Sequence, residues 1–477
     1  MEELHVLNGR FVIPETGVVS GTLIVRDGRV AEIVQGEPRS TPDREIDAQG
    51  RYVLPGLIDP HTHSGLLPPL SARLEAESAF GASGGITTVI RYFRRTDSYL
   101  ETVPGQVEVG VKTHYQDFTH HLALFTEQQV DQLDACVRKF GITSYKLYMN
   151  LKGPFGKGFL MDITPEREDE VDRADVNFDD GHMYEAFRRA ARVPAPIRMA
   201  VHCEDAEIVL HETSRIRELG LEGLAAWHAA RPGNSEALGI QMVAYLSRKF
   251  GVPVYYPHIG SREAVDAMAE VRSAGTNYYA ETCPQYIALS TESEAGVLAK
   301  VMPPVRTSDD AVKVWWGIQN NVLECLGSDH IPYTLDEKQP GPVWETRPAF
   351  GGTGMILPVF LSEGVNKGKL TIRRLVELAS FNTAKAFGLY PTKGTLLPGA
   401  DADFVIIDLE REWTVHASES LSSSDFSVYE DQTMRGDVVL TAVRGEVIYE
   451  EGKIMGPRGH GRFLRRYPRI EATTSVS

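Results

Sequence analysis

Long apolar runs are missing from this chain of 477 residues, and no window reaches the length needed to cross a bilayer as a helix. Cysteine is scarce. Cys136, Cys203, Cys283 and Cys325 lie far apart with no CxxC pair, which excludes a disulfide framework and suits a reduced, cytoplasmic protein. Positive charge is in deficit as well: the net charge is −16 and the pI about 5.4, against the basic stripe a nucleic-acid binder carries. The first residues, MEELHVLNGRFVI, lack the basic and long apolar regions of a secretory leader. What is present is 42% hydrophobic, enough for a large core.

The first 50 residues are short strand-like runs broken by Asn-Gly and Asp-Gly turn signals. The same texture returns in ADFVIIDL, VVLTAVRGEVIYEEGKI and GRFLRRY. Both ends together predict one β-sandwich domain, residues 1–52 and 391–455, with the middle inserted in it and a tail at 456–477. Within 53–390, the strand before His61 is followed by ITTVIRYF, FTHHLALF, ITSYKLYM, IRMAVHCE, VPVYYPHI, TNYYAET and VLECLGSD. Helical stretches such as EQQVDQLDACVRKFG and EALGIQMVAYLSRKFG lie between these runs and end in glycine. Eight strand–helix units predict an α/β protein with a (β/α)8 TIM barrel.

Active sites of such barrels sit at the C-terminal ends of the strands. The polar residues there are His61 and His63 after the first strand, Lys146 in the fourth, His202 in the fifth, His258 after the sixth and Asp329 after the eighth. A lone His-x-His is more often a loop feature than a metal site. Four imidazoles and a carboxylate at strand ends, however, are donors enough for two divalent ions; zinc suits them, as do manganese, iron and cobalt. An ammonium at Lys146 would repel metals, so it fits only as the carbamate formed with carbon dioxide; alone, it reads as an ordinary lysine. Other histidines, such as His211 and His228, fall in helical stretches and read as surface or packing residues.

The ordered set PGLIDPHTH, SYKLYM, HCED, PHIGS, ETCPQY, MPPVR, GSDH and GTLLPGADAD resembles the hydantoinase/dihydropyrimidinase group of cyclic amidohydrolases over nearly the full length. The resemblance implies a binuclear centre of two zinc ions per subunit. His61, His63 and Asp329 would hold one metal, His202 and His258 the other, with N6-carboxylated Lys146 bridging. It implies a small cyclic amide as substrate, Asp329 as catalytic base and acid, and a homotetramer, with a homodimer as the alternative. GRFLRRYPRI resembles the family's subunit-contacting tail.

The chain departs from the family in several places. A tyrosine five residues after the lysine, which stabilises the oxyanion in many relatives, is Leu151 here, leaving metal, water or a neighbour such as Asn150 to serve. Before the glycines of RPAFGGTG stands Phe350 instead of Asn; Phe350 and Met302 are expected at the substrate through their backbones. Gly65 stands where dihydroorotases have arginine, which disfavours dihydroorotate. Residues 166–180 hold eight acids and two arginines. Such a run is ordinarily solvated, but its place between Lys146 and His202 suggests a lid spanning 152–180. Arg91, Arg94 and Arg95 read first as partners of surface acids and second as carboxylate binders. Hydantoinase-like ring opening ranks first, then dihydropyrimidinase, then allantoinase or cyclic-imide hydrolase. A non-catalytic assembly protein of the same fold is the alternative class, disfavoured by the full ligand set.

Overall fold

Each of the eight apolar runs becomes a strand of one parallel sheet: β1 Leu57–Thr62, β2 Ile86–Phe93, β3 Asp117–Ala123, β4 Ser144–Tyr148, β5 Arg198–His202, β6 Val254–Tyr256, β7 Tyr278–Thr282 and β8 Cys325–Leu326. The structure is a computed structural model describing residues 2–36 and 38–467. The strands pair in chain order, and a parallel bridge between Thr62 and His330 joins the last to the first. Almost every strand residue is buried. Helices cover the outer face, so the strands read as continuous apolar runs rather than alternating ones. Ile58, Ile90, Tyr92, Ala200, Tyr255 and Cys325 fill the interior.

Glycine stops end the helices Leu133–Phe140 and Gly233–Phe250: Gly141 and Gly251 take φ of +69° and +68°, where a side chain would be strained. The stretch read as one helix from Glu127 is two, Glu127–Asp131 and Leu133–Phe140. A capping box at Thr126 and Gln129 starts the first.

A separate sheet of nine strands is built from both chain ends. The two ends meet where Tyr52–Pro55 pairs antiparallel with Phe404–Thr414. Leu4, Phe11, Leu23, Val53, Phe404 and Leu440 share its core. The GTLLPGADAD segment locks this sheet to the barrel. Buried Lys393 donates to Asp403 at 2.7 Å and to Asp117, at the start of β3, at 2.6 Å. Residues 461–467 run along their own barrel: Leu464 N–H donates to the Phe118 carbonyl at 2.8 Å. Arg466 donates to Ser144 Oγ and to the His120 carbonyl, both at 2.5 Å. The remainder of the expected tail contact, 468–477, lies outside the described residues. Among the described residues, no helix is long and apolar enough to cross a membrane.

Candidate active site

A cavity of about 480 Å³ opens at the C-terminal ends of the strands, and His61, His63, Lys146, His202, His258 and Asp329 all line it. The ligand-type atoms of His61, His63 and Asp329 lie within 4.8 Å of one another. Asp329 Oδ1 stands 3.1 Å from His61 Nε2 and 3.3 Å from His63 Nε2. The rings of His202 and His258 are 4.5 Å apart, and those of His61 and His258 5.3 Å. His258 and Asp329 both adopt left-handed backbone, with φ of +46° and +53°. Non-glycine residues take that conformation at a cost, and such strain gathers where side-chain direction matters.

A second layer of buried carboxylates orients this set. Glu281 Oε1 accepts from His61 Nδ1 at 2.7 Å and from the His258 N–H at 3.1 Å, while its other oxygen accepts from Tyr255 at 2.8 Å. This fixes the His61 tautomer and turns Nε2 toward Asp329. Glu204, two residues beyond His202 and on the same side of the chain, accepts from His202 Nε2 at 2.6 Å. The Arg231 guanidinium holds Glu204 with two bonds of 2.8 and 2.6 Å. Asp59 accepts from Ser328 Oγ at 2.5 Å, Thr353 Oγ1 at 2.7 Å and the His61 N–H at 3.0 Å, tying the ends of β1 and β8 together. Burial pulls the His61 imidazole down, but Glu281 and then Asp329 outweigh it and hold the ring up to about 9. Burial pushes the Asp329 carboxyl up, and His61 and the neighbouring imidazoles hold it well below the ordinary range instead. These two shifts describe one coupled, charge-paired unit.

Lys146 has no such support. Its Nζ is buried, has no hydrogen-bond partner among the described residues, and sits 4.8 and 5.0 Å from the ring centres of Tyr92 and Tyr148. Burial draws its ammonium down to about 7, with Asp329 and Glu281 partly opposing. A large share of the side chain is therefore neutral amine near neutral pH, the form that reacts with carbon dioxide. His63 Nδ1 is likewise buried without a partner. The donor set and these two orphaned atoms fit a group that completes them.

Asn150, Leu151 and Met302 line the cavity. Phe350 does not: its carbonyl accepts from the Ile331 N–H at 3.1 Å, and its ring faces the Lys338 ammonium at 5.8 Å. Its neighbours Pro348 and Ala349 form the wall in its place. His211 is exposed, and His228 packs beside Arg306 at 3.2 Å.

The arginines in and just after β2 overturn the surface-pair reading in two cases of three. Arg91 is fully buried against Asp162, 3.1 Å away. Arg94 lines the cavity, donating to Tyr148 Oη at 3.0 Å and meeting His63 Nε2 at 3.0 Å. Only Arg95 pairs as expected, with Asp97 and Asp172. Asp162 lies 71 residues beyond Arg91, so no local signal announces the pair. The segment 152–180 reaches the cavity through Phe155, Lys157, Phe159, Leu160 and Arg173. Its outer part is a short hairpin, Phe159–Met161 against Asp172–Ala174, and most of its acids face solvent.

Fold and site together define the class: a (β/α)8 barrel whose strand ends gather four imidazoles, a lysine and an aspartate on one cavity floor. The chain belongs to the amidohydrolase family, whose model matches residues 172–448. It is 32% identical over 479 residues to the L-hydantoinase of Paenarthrobacter aurescens, covering 98% of each chain. To the D-hydantoinase of Geobacillus stearothermophilus it is 28% identical, with 95% of each chain covered. Among solved structures, the L-hydantoinase (dihydropyrimidinase) from Arthrobacter aurescens superposes with a TM-score of 0.87 at 29% identity, over 97% of this chain and 99% of that one.

Proposed function

We propose that this protein is a binuclear-metal hydrolase that opens a cyclic amide or ureide, with a hydantoin as the leading substrate and an N-carbamoyl amino acid as product. The observation that carries the reading is the convergence of His61, His63, Lys146, His202, His258 and Asp329 from five strands on one cavity. Likeness to two hydantoinases over nearly the full length supports it. His61, His63 and Asp329 would hold one ion, His202 and His258 the other, and the Lys146 carbamate both. When bound, a divalent pair of this kind supplies a water-derived nucleophile at neutral pH and polarises the scissile carbonyl.

The remaining work falls to the chain's own groups. Asp329, held as a carboxylate by its imidazole neighbours, takes the proton from the attacking oxygen and returns it to the leaving ring nitrogen. Glu281 and Glu204 keep His61 and His202 in one tautomer throughout. Leu151 offers no donor to the developing oxyanion. On the same wall, the Tyr148 hydroxyl accepts from Arg94 and keeps its own proton to give, and the Asn150 amide stands beside it. A homotetramer in a cytoplasmic setting is part of the same reading.

The test is turnover by purified protein supplied with zinc and bicarbonate. The panel is hydantoin, 5-alkyl and 5-aryl hydantoins, dihydrouracil, allantoin and succinimide, with Asp329→Asn as the blank. Ring opening of a hydantoin, abolished in the variant, is expected. A protein that carries two metals per chain and opens none of these rings overturns the reading.

A further inference from the structure

Beyond the metal set, the cavity has a charge the rest of the molecule does not. Six basic side chains other than Lys146 line it, against one carboxylate other than Asp329, Glu345. The whole protein, in contrast, carries −16. Of the six, Arg94, Arg173 and Arg347 concern the same spot. Arg94 comes from the loop after β2, Arg173 from the 152–180 segment and Arg347 from the stretch after β8. None of the three has a carboxylate partner among the described residues, although the neighbouring Arg91 and Arg95 are both paired.

All three share the cavity wall with Tyr333, a buried residue. Burial raises the Tyr333 phenol; Arg347, Arg94 and Arg173, in that order, pull it back, and Glu337 adds a smaller upward push. Arg94 is pre-positioned: its guanidinium lies 4.8 Å from the Phe159 ring centre and 5.4 Å from that of Tyr148, with Nε spent on the Tyr148 hydroxyl and Nη2 beside His63 Nε2 at 3.0 Å. Arg173 spends one nitrogen on the Gly158 carbonyl at 2.8 Å. Each keeps further N–H donors for a ligand. Unpaired guanidiniums lining one cavity favour an anion, and their planar forks match a carboxylate.

We propose that Arg94, Arg173 and Arg347 form an anion subsite around Tyr333, and that the substrate is a cyclic ureide whose ring substituent carries a carboxylate. This rests on the ring-opening reading above and names the substrate class for that site. The carboxylate that ring opening itself creates is common to all substrates of this type. The substituent's charge must therefore be varied alone.

The experiment compares 5-(2-carboxyethyl)hydantoin with its isosteric carboxamide, and the carboxymethyl pair likewise, on metal-loaded protein at low and high salt. The carboxylates are expected to exceed their carboxamides about tenfold or more in kcat/KM at low salt, with the ratio shrinking as salt rises. Arg173→Met and Arg347→Met should each lower that ratio several-fold, chiefly through the KM of the carboxylate. Carboxamides turned over as well as carboxylates would overturn the subsite while leaving ring opening intact. Should no ring open, the ring-opening reading fails and the subsite is judged by binding alone. The readout is quenching of cavity tryptophans Trp227 and Trp344 by N-carbamoylglutamate against N-carbamoylglutamine. Tighter binding of the first, lost in Arg347→Met, upholds the subsite, and equal binding overturns it.

Discussion

Replacing Asp162 by Asn should destabilise the protein far more than one lost charge on the surface would. Asp162 and Arg91 are both fully buried, and Asp162 also accepts the Arg94 N–H at 2.8 Å. Burial dominates both partners, raising Asp162 and lowering Arg91 despite their mutual attraction. A pair in that balance adds little over an apolar substitute, but removing one member leaves the other charge uncompensated, at a cost of ~3–5 kcal/mol. Asn keeps the acceptor for Arg94, so the change isolates the charge. Unfolding entropy near 2.1 cal/mol/K per residue gives about 1 kcal/mol/K for a chain of 477 residues, so Tm should fall by about 3–5 °C. Thermal scans at one fixed rate, with urea denaturation alongside, measure this. The double variant Arg91→Met/Asp162→Asn removes the stranded charge and should recover most of the loss. A shift under ~1 °C in the single variant, or a double variant worse than the single, would refute the reasoning.

Three further outcomes follow from other sites. Burial pushes the His114 imidazole down to about 3, from 6.5 in the unfolded chain. Between those values the unfolded state binds the extra proton, so this stability is present above pH 6.5 and is lost as pH falls toward 3, by ~2 kcal/mol at pH 5. His114→Gln should flatten the pH 7.5-to-5 change in urea-unfolding free energy by that amount, and an unchanged slope would contradict it. Glu281→Gln frees the His61 tautomer and should weaken metal retention about 10–100-fold, read by metal analysis after graded chelation. Lys146→Ala should lower bound metal to one ion or fewer per chain and abolish any dependence on bicarbonate; a variant with two ions would remove the lysine from the bridging role.

The barrel was legible because parallel strands covered on both faces show as uninterrupted apolar runs, and five of the eight ended in a residue of distinct chemistry. The same rule pointed to the metal-type set. It was silent on Asp59 and Glu281, which are held by groups from other parts of the barrel, and on Glu204. The one local hint was spacing: Glu204 stands two residues from His202, on the same side of an extended chain. Arg91 and Arg94 depart from the sequence expectation for a related reason. In an acidic sequence an arginine-rich loop suggests nearby surface acids, but the partner of Arg91 arrives from a distant loop that covers it. The break at Gln132 went unseen because the apolar spacing continues through it, while the chain turns to start a new helix.

The pairing of Tyr52–Pro55 with Phe404–Thr414 has a consequence for synthesis. The first five strands leave the ribosome with an open sheet edge whose mate follows about 350 residues later. At 5–20 residues per second that is roughly 20–70 s during which an unpaired apolar edge faces solvent. Such a nascent chain is an obvious client for a ribosome-associated chaperone, and the insertion of the barrel sets how long the client must be held.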